Sequence, residues 1–353
     1  MKLIRCFATV AQVMVLTLLA PAAARAAGVT LNETGSTLLF PLFQTWAAQY
    51  SQVDPSVRIV TNATGSGVGI AEAVSGTVQI GASDAYMTDA QIKQNPNIIN
   101  VPLAISAQTV NYNLPGLNGV ALRLDGPALA GMYFGTIHYW DDAHIVALNP
   151  GVKLPHHEVI PIHRSDGSGD TFVFNQYLTF STSAWENGPG YGTTIAWPPV
   201  SRSLAARGNV GMVQACRDNP YSVAYIGVSL YREIAAAGLG TAMLKNESGV
   251  FVLPTIKSVS AAAAVLGPRT PADERLSLVF APGADSYPLI TYEYAVVSTK
   301  QADPTTAAAI REFLTWTIAT CQGNAEKTLE AVRFIALPEY IRALSQAQVE
   351  KIR

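Results

Sequence analysis

Two observations make this sequence read as an α/β protein. Short β-prone runs alternate with helical stretches along most of the chain, and two long extended runs lie far apart within it. The composition suits a packed interior: 49% of the 353 residues are hydrophobic and 14% are charged. That excludes large-scale disorder and supplies material for roughly two domains.

Taken in order, the N-terminus comes first. Lys2 and Arg5 precede the apolar run Val10 to Leu19, which leads to Pro21 and the small-residue stretch Ala22-Ala23-Ala24-Arg25-Ala26. This predicts a secretory signal over residues 1–26, cleaved near Ala26. The apolar segment is about ten residues, short of the ~20 a spanning helix needs, and no cysteine follows to carry a lipid. The expected product is exported, most simply to a periplasm, without a membrane anchor. Cleavage takes Lys2, Arg5 and Arg25 from the 23 basic residues and nothing from the 25 acidic ones, leaving a net charge of −5. A nucleic-acid partner does not fit that balance. Cys216 and Cys321 remain, too few for a disulfide scaffold and without the spacing of a zinc site.

Val57 to Thr61 reads as a strand, followed by a helix over Val68 to Val74. Ile99 to Leu103 reads as a strand before a turn, and Val110 to Leu114 as an extended run ending in the turn signal Pro115-Gly116. Asp141-Asp142 caps a short helix. Val159 to Ile162 is a strand leading into a helix over Thr171 to Leu178. Ala235 to Ala237 and Ala261 to Ala264 are helical, and Tyr287 to Val297 is the second long extended run. The C-terminal part, Thr305 to Thr320 and Ala325 to Val332, has helical periodicity with Phe313 and Trp316 facing a core.

Four polar segments interrupt this pattern: Thr34-Gly35-Ser36-Thr37, Thr64-Gly65-Ser66-Gly67, Gly81-Ala82-Ser83-Asp84 and Ser165-Asp166-Gly167-Ser168-Gly169-Asp170. A Ser/Thr-Gly turn at a helix start exposes backbone N–H groups beside hydroxyl donors, at the positive end of the helix dipole. Several such turns aimed at one point would hold a compact oxyanion; one alone is an ordinary cap. Residues 65–69 lack the spacing and lysine of a nucleotide loop. Asp166 to Asp170 alternates oxygen ligands like a calcium loop but is followed by no bidentate glutamate. Ser66 or Ser168 with His163 could be read as nucleophile and base, yet neither serine lies in a G-x-S-x-G elbow.

In order along the chain, Thr34-Gly-Ser-Thr-Leu-Leu-Phe-Pro41, Thr64-Gly-Ser-Gly67, Ile80-Gly-Ala-Ser-Asp-Ala85, Val101-Pro-Leu-Ala104, Val110-Asn-Tyr-Asn-Leu-Pro115 and His163-Arg-Ser-Asp-Gly-Ser-Gly-Asp-Thr-Phe172 resemble the PstS family. These are the phosphate-binding proteins of bacterial ABC-type phosphate importers, and the resemblance spans nearly the whole chain. It implies a two-lobed periplasmic-binding-protein fold, each lobe a mixed β-sheet flanked by helices, with two hinge-crossing segments. The first lobe would comprise residues 27–110 and 290–353, the second 111–289. It also implies a phosphate site of Ser36, Thr37, the Leu38 amide, Ser66 and Asp84 from the first lobe, with Arg164, Ser168, Gly169 and Asp170 from the second. Asp166, two residues from Arg164, would hold that arginine in place. The implied partner is the membrane permease of a phosphate importer, with the protein a monomer that needs no cofactor or metal and catalyses nothing. A secreted phosphatase or phosphoesterase on the same fold is the alternative. Cys216 and Cys321 fall in different lobes on these boundaries and are expected to be unbridged.

Overall fold

The computed structural model describes residues Gly28–Arg353; the proposed signal at 1–26 lies outside them. Its first part runs β1 (Val29–Gly35), α1 (Phe40–Val53), β2 (Val57–Ala63), α2 (Ser66–Ser75), β3 (Ile80–Ser83), α3 (Asp89–Gln94) and the long β4 (Ile98–Tyr112). Then come β5 (Arg123–Leu124), α4 (Gly126–Phe134), α5 (Ala143–Leu148), β6 (Ile160–Arg164), α6 (Gly169–Ser181), α7 (Ser183–Glu186), β7 (Leu204–Ala206), α8 (Gly208–Asp218) and β8 (Ser222–Gly227). The remainder is α9 (Tyr231–Ala236), β9 (Gly240–Thr241), β10 (Met243–Lys245), β11 (Phe251–Val252), α10 (Ile256–Leu266), β12 (Ile290–Ser298), α11 (Pro304–Ile318), α12 (Glu326–Glu330) and α13 (Glu339–Val349).

One mixed sheet carries both halves, in the order β2-β1-β3-β12-β4-β8-β6-β7, with β9 also on β4. Pairing within β1-β2, β1-β3, β6-β7 and β6-β8 is parallel, while β12 and β4 are antiparallel to their neighbours. β4 is the bridge between halves. Its residues up to Ala107 pair with β12, and from Gln108 onward they pair with β8. Both of its faces are covered, so nearly the whole strand is buried, as a central strand between helix layers must be.

The expected strand-then-turn at Ile99 to Leu103 and the separate run from Val110 are therefore one strand. Pro102 made the stretch look broken, because proline cannot donate to a central ladder. The ladder tolerates it at a bulge: the β12 register skips between Glu293 and Tyr294, where Pro102 stands opposite Tyr294.

The first half packs α1 and α11 against its sheet. Leu42, Phe43, Trp46 and Tyr50 form the buried stripe of α1, spaced as one helix face. Tyr50 meets Phe313 and Trp316 of α11 edge-on, with ring centroids 5.1 and 5.3 Å apart, so both aromatics expected in the core are there. In the second half α6 is buried along most of its length, and Phe174 stacks on Tyr225 of β8 at 4.5 Å.

The second crossing is not the single edge expected at 289/290. The segment after α10 contacts the first half, where Ser345 donates to Glu274 at 2.8 Å and Arg275 donates to the Met87 carbonyl at 3.0 Å. It then touches the second half, where Asn246 donates to the carbonyls of Gly283 and Ala284, before β12 begins. Cys216 is buried in α8 and Cys321 is exposed, both as free thiols. Among the described residues no helix is long and apolar enough to cross a membrane.

Candidate functional site

The polar segments cluster because of where the strands end. β1 stops at Gly35 just before Ser36 and Thr37, β2 stops at Ala63 before the Ser66 turn, β3 stops at Ser83 before Asp84, and β6 ends in Arg164. β1, β2 and β3 run parallel to one another, while β6 in the other half runs the opposite way, so the two sets of carboxyl ends face each other across a crevice. That crevice, where the strand order changes direction, is where α/β sheets take ligands.

Asp84 is the centre of the first half's contribution. It is fully buried, and its Oδ1 accepts from the Ser36 hydroxyl while its Oδ2 accepts from Ser66 Oγ at 3.3 Å. Ser36 Oγ in turn accepts from the backbone N–H groups of Leu38 and Leu39 at 3.1 and 2.9 Å, which fixes the loop at the start of α1. The Leu38 amide assigned to a ligand is thus bonded to Ser36 in this structure. Thr37 faces the other half, its hydroxyl accepting from the Asn209 backbone and side chain at 3.1 and 2.9 Å.

From the second half, Arg164 is buried. Its Nε donates to Asp166 Oδ1 at 2.7 Å, its Nη2 to Asp166 Oδ2, and its Nη1 to Asp170 Oδ2 at 2.7 Å. Asp166 therefore holds the arginine as expected. Burial works against the guanidinium charge, but the two aspartates outweigh it and push its pKa above the ordinary value. A guanidinium has five N–H donors; three are used, leaving one on each Nη.

Asp170 is more committed than the sequence suggested. Gln108 Nε2 donates to its Oδ1 at 3.1 Å, and Arg164 and Asn209 Nδ2 donate to its Oδ2, each at 2.7 Å. A carboxylate offers about four lone-pair sites, so roughly one remains. Burial first, then the nearby Asp84 charge, raises its pKa to about 7. Ser168 caps α6, its Oγ accepting from the Thr171 N–H at 3.3 Å, and keeps its own hydroxyl proton to donate. The first-turn amides of α6, from Gly169 on, have no carbonyl within the helix to bond.

The two halves meet tightly around this point. Gly67 N–H donates to the Gly167 carbonyl at 2.9 Å, Ser229 donates to the Leu38 carbonyl at 2.7 Å, and Tyr86 packs edge-on against Phe172 at 5.1 Å. Gly65 has φ +99°, and a Cβ there would stand 2.6 Å from Asp166 Oδ2. At Gly169 a Cβ would stand 2.5 Å from Asp84 Oδ2 and 2.7 Å from Ser66 Oγ. The glycines of the opening segments let one loop touch another.

Three buried residues escaped the sequence reading. Asn209 ties Thr37 to Asp170 while its Oδ1 accepts from the Gly227 N–H at 2.7 Å. Gln108 holds Asp170, and Glu293 lies beside Asp84. For Gln108 and Glu293 the signal was an amide or acid inside an otherwise apolar β-prone run, a position where a polar side chain must find a partner; Asn209, at the start of α8, carried no such signal. Among the described residues no group of three or more His, Cys, Asp or Glu side chains is placed to hold a metal ion.

Comparison with known proteins gives concordant matches. The profile of the PBP superfamily domain covers residues 20–320. The phosphate-binding protein PstS of Methanocaldococcus jannaschii is 31% identical over 343 residues, covering 92% of this chain and 87% of that protein. The protein of the same name from Haemophilus influenzae is 30% identical, covering 84% of this chain and 86% of its own. Among solved structures, a high-affinity periplasmic phosphate-binding protein (PfluDING) bound with phosphate superposes with a TM-score of 0.70 at 21% identity. It covers 90% of this chain and 93% of that one.

Proposed function

From the premise that the chain belongs to the PstS family of phosphate-binding proteins, we propose how its cleft captures inorganic phosphate for an ABC-type phosphate importer. The two lobes close over the anion. The observation that carries the reading is the buried convergence of Asp84, Arg164 and the start of α6 from opposite halves of the sheet. The two unspent Nη protons of Arg164, the hydroxyls of Ser36, Ser66 and Ser168, and the amides of Leu38, Gly169 and Asp170 supply donors to the phosphate oxygens, Ser36, Ser66 and the Leu38 amide on turning from their present partners. Thr37 borders the site, its hydroxyl already engaged by Asn209.

Asp84 supplies selectivity. An ionised aspartate only accepts, so a buried oxygen beside it must bring a proton. Phosphate carries one or two protons near neutral pH, and sulfate carries none. A sulfate would leave two acceptors facing each other in a desolvated cleft, at a cost of at least ~1–3 kcal/mol. Asp170, with most of its acceptor capacity taken by protein donors, orients Arg164 and Asn209 more than it reads the ligand.

In this reading the protein works in the periplasm as a monomer, hands phosphate to a membrane permease and turns nothing over. Native mass spectrometry of undialysed protein tests it: one bound mass matching phosphate is expected. After the ligand is stripped by partial unfolding, added phosphate should raise the melting temperature by binding linkage and sulfate should not. A melting temperature indifferent to millimolar phosphate would sink the reading, and release of product from a chromogenic phosphate ester would favour a phosphoesterase instead.

A further inference from the structure

Glu293 lies in the middle of β12, opposite Ala104 of β4, and is fully buried. Its Oε1 accepts from the Ser106 hydroxyl of β4, and no donor reaches its Oε2. The group facing it is another carboxyl. Two residues away on the same strand face, the Thr291 hydroxyl donates to the Asp84 carbonyl at 2.9 Å, and the register of β3 on β12, which pairs Ser83 with Tyr294, sets Asp84 alongside Glu293.

The charged and polar groups around the pair are few. Asp170 of α6 adds a third carboxyl, Ser106 and Gln108 come from β4, Ser36 and Ser66 from the loops, and Arg164 at the end of β6 is the one cation. Arg164 acts on Asp84 and Asp170, whereas Glu293 lies further back, with carboxyls as its charged neighbours. Two carboxylates in contact are both acceptors and repel; a single proton between them turns the contact into a strong O–H···O⁻ bond.

We propose that Glu293 is a neutral carboxylic acid that donates its proton to Asp84, and that this pair, rather than Asp84 alone, sets which anion the cleft accepts. Burial and the neighbouring Asp84 charge both hold the proton on Glu293, pushing its pKa well above the ordinary carboxylate range. The donated bond keeps Asp84 ionised despite its own burial. It also fills one lone-pair site of Asp84 whether or not ligand is bound, whereas Ser36 and Ser66 leave theirs on turning to the ligand, so Asp84 faces a ligand proton purely as an acceptor. Without the donor, burial favours a protonated Asp84, which could itself donate to an unprotonated oxygen, and the preference for phosphate would fade. Glu293 is thus a positioning residue acting through Asp84, and its effect on selectivity rests on the phosphate reading above.

The test has two arms. Wild-type-minus-variant infrared difference spectra of ligand-free protein at neutral pH should show a protonated-carboxyl carbonyl band that is lost in Glu293→Gln and kept in Asp84→Asn, above the constant contribution of Glu33. Competition calorimetry should find Glu293→Gln, which keeps an N–H donor, close to wild type in its preference for phosphate over sulfate. Glu293→Leu should lose at least tenfold of that preference. A missing band, or a band removed by Asp84→Asn and kept in Glu293→Gln, overturns the proposal whether or not Glu293→Leu folds. Unchanged selectivity in a folded Glu293→Leu overturns it as well. If wild-type protein binds no phosphate, the functional reading fails, and the infrared arm still decides where the proton sits.

Discussion

In the proposed site Arg164 divides its bonding capacity between structure and ligand. Its fork onto Asp166 and its third bond to Asp170 fix the guanidinium before any anion arrives, and this preorganisation lowers the cost of binding. Arg164→Ala would strand Asp166 and Asp170 without their cation, a loss of about 3–5 kcal/mol for a broken buried pair, so it confuses stability with affinity. Arg164→Lys keeps the charge and loses the planar fork. Titration calorimetry should find phosphate binding weakened by about 1.5–3 kcal/mol, the range for hydrogen bonds involving a charged group, with melting affected far less than in the alanine variant. Wild-type affinity in the lysine variant would show that the fork serves structure alone. Arg164, Asp166 and Asp84 could be named from sequence because they sit in the segments that resemble the PstS family, and the structure brings them together. Asn209, Gln108 and Glu293 could not, since each makes its partners through strand pairing and lobe contact that residue order does not reveal.

At the scale of elements, the approach of α6 to the end of β3 makes the site. Gly169 opens the helix with no side chain, and a Cβ there would collide with Asp84 and Ser66 of the other lobe. The collision exists only when the lobes are together. Gly169→Ala should therefore fold with little change in ligand-free melting yet bind phosphate at least about tenfold more weakly, ~1.4 kcal/mol or more; equal affinity in calorimetry would argue against the closed geometry. A different element carries a pH effect. Glu33, buried in β1 with Thr61 as its hydroxyl donor, has its pKa raised by burial from 4.5 to about 8. The folded state therefore holds this proton more tightly than the unfolded chain. Its contribution is fully present below about pH 4.5 and is lost as pH rises toward about 8. Glu33→Gln should accordingly gain melting temperature relative to wild type more at pH 8 than at pH 5, and a difference independent of pH would refute the assignment. Helices with a cap and a stripe, such as α5 behind Asp142 and α11, could be read from sequence. β4 could not be read whole, because a strand buried on both faces has no alternation and its proline sits at a bulge.

The two halves of the main sheet share β4 and come together over buried carboxylates, with β5, β10 and β11 forming a separate small sheet. Contacts from Thr37 to Asn209, Gly67 to Gly167 and Tyr86 to Phe172 cross the cleft. They are small and polar except for the aromatic pair, as suits a closure that must reverse. Residues 267–286, just before the second expected crossing, touch both halves, a pairing of contacts that residue order does not reveal. The selection of phosphate proposed above rests on a proton-reading carboxylate where these halves meet. Competition calorimetry on stripped wild-type protein, with phosphate titrated in the presence of excess sulfate and repeated on Asp84→Asn, tests it most directly. One phosphate per chain is expected, with sulfate weaker by far more than tenfold in the wild type and a narrowed gap in the variant. Sulfate binding within tenfold of phosphate in the wild-type protein would contradict it.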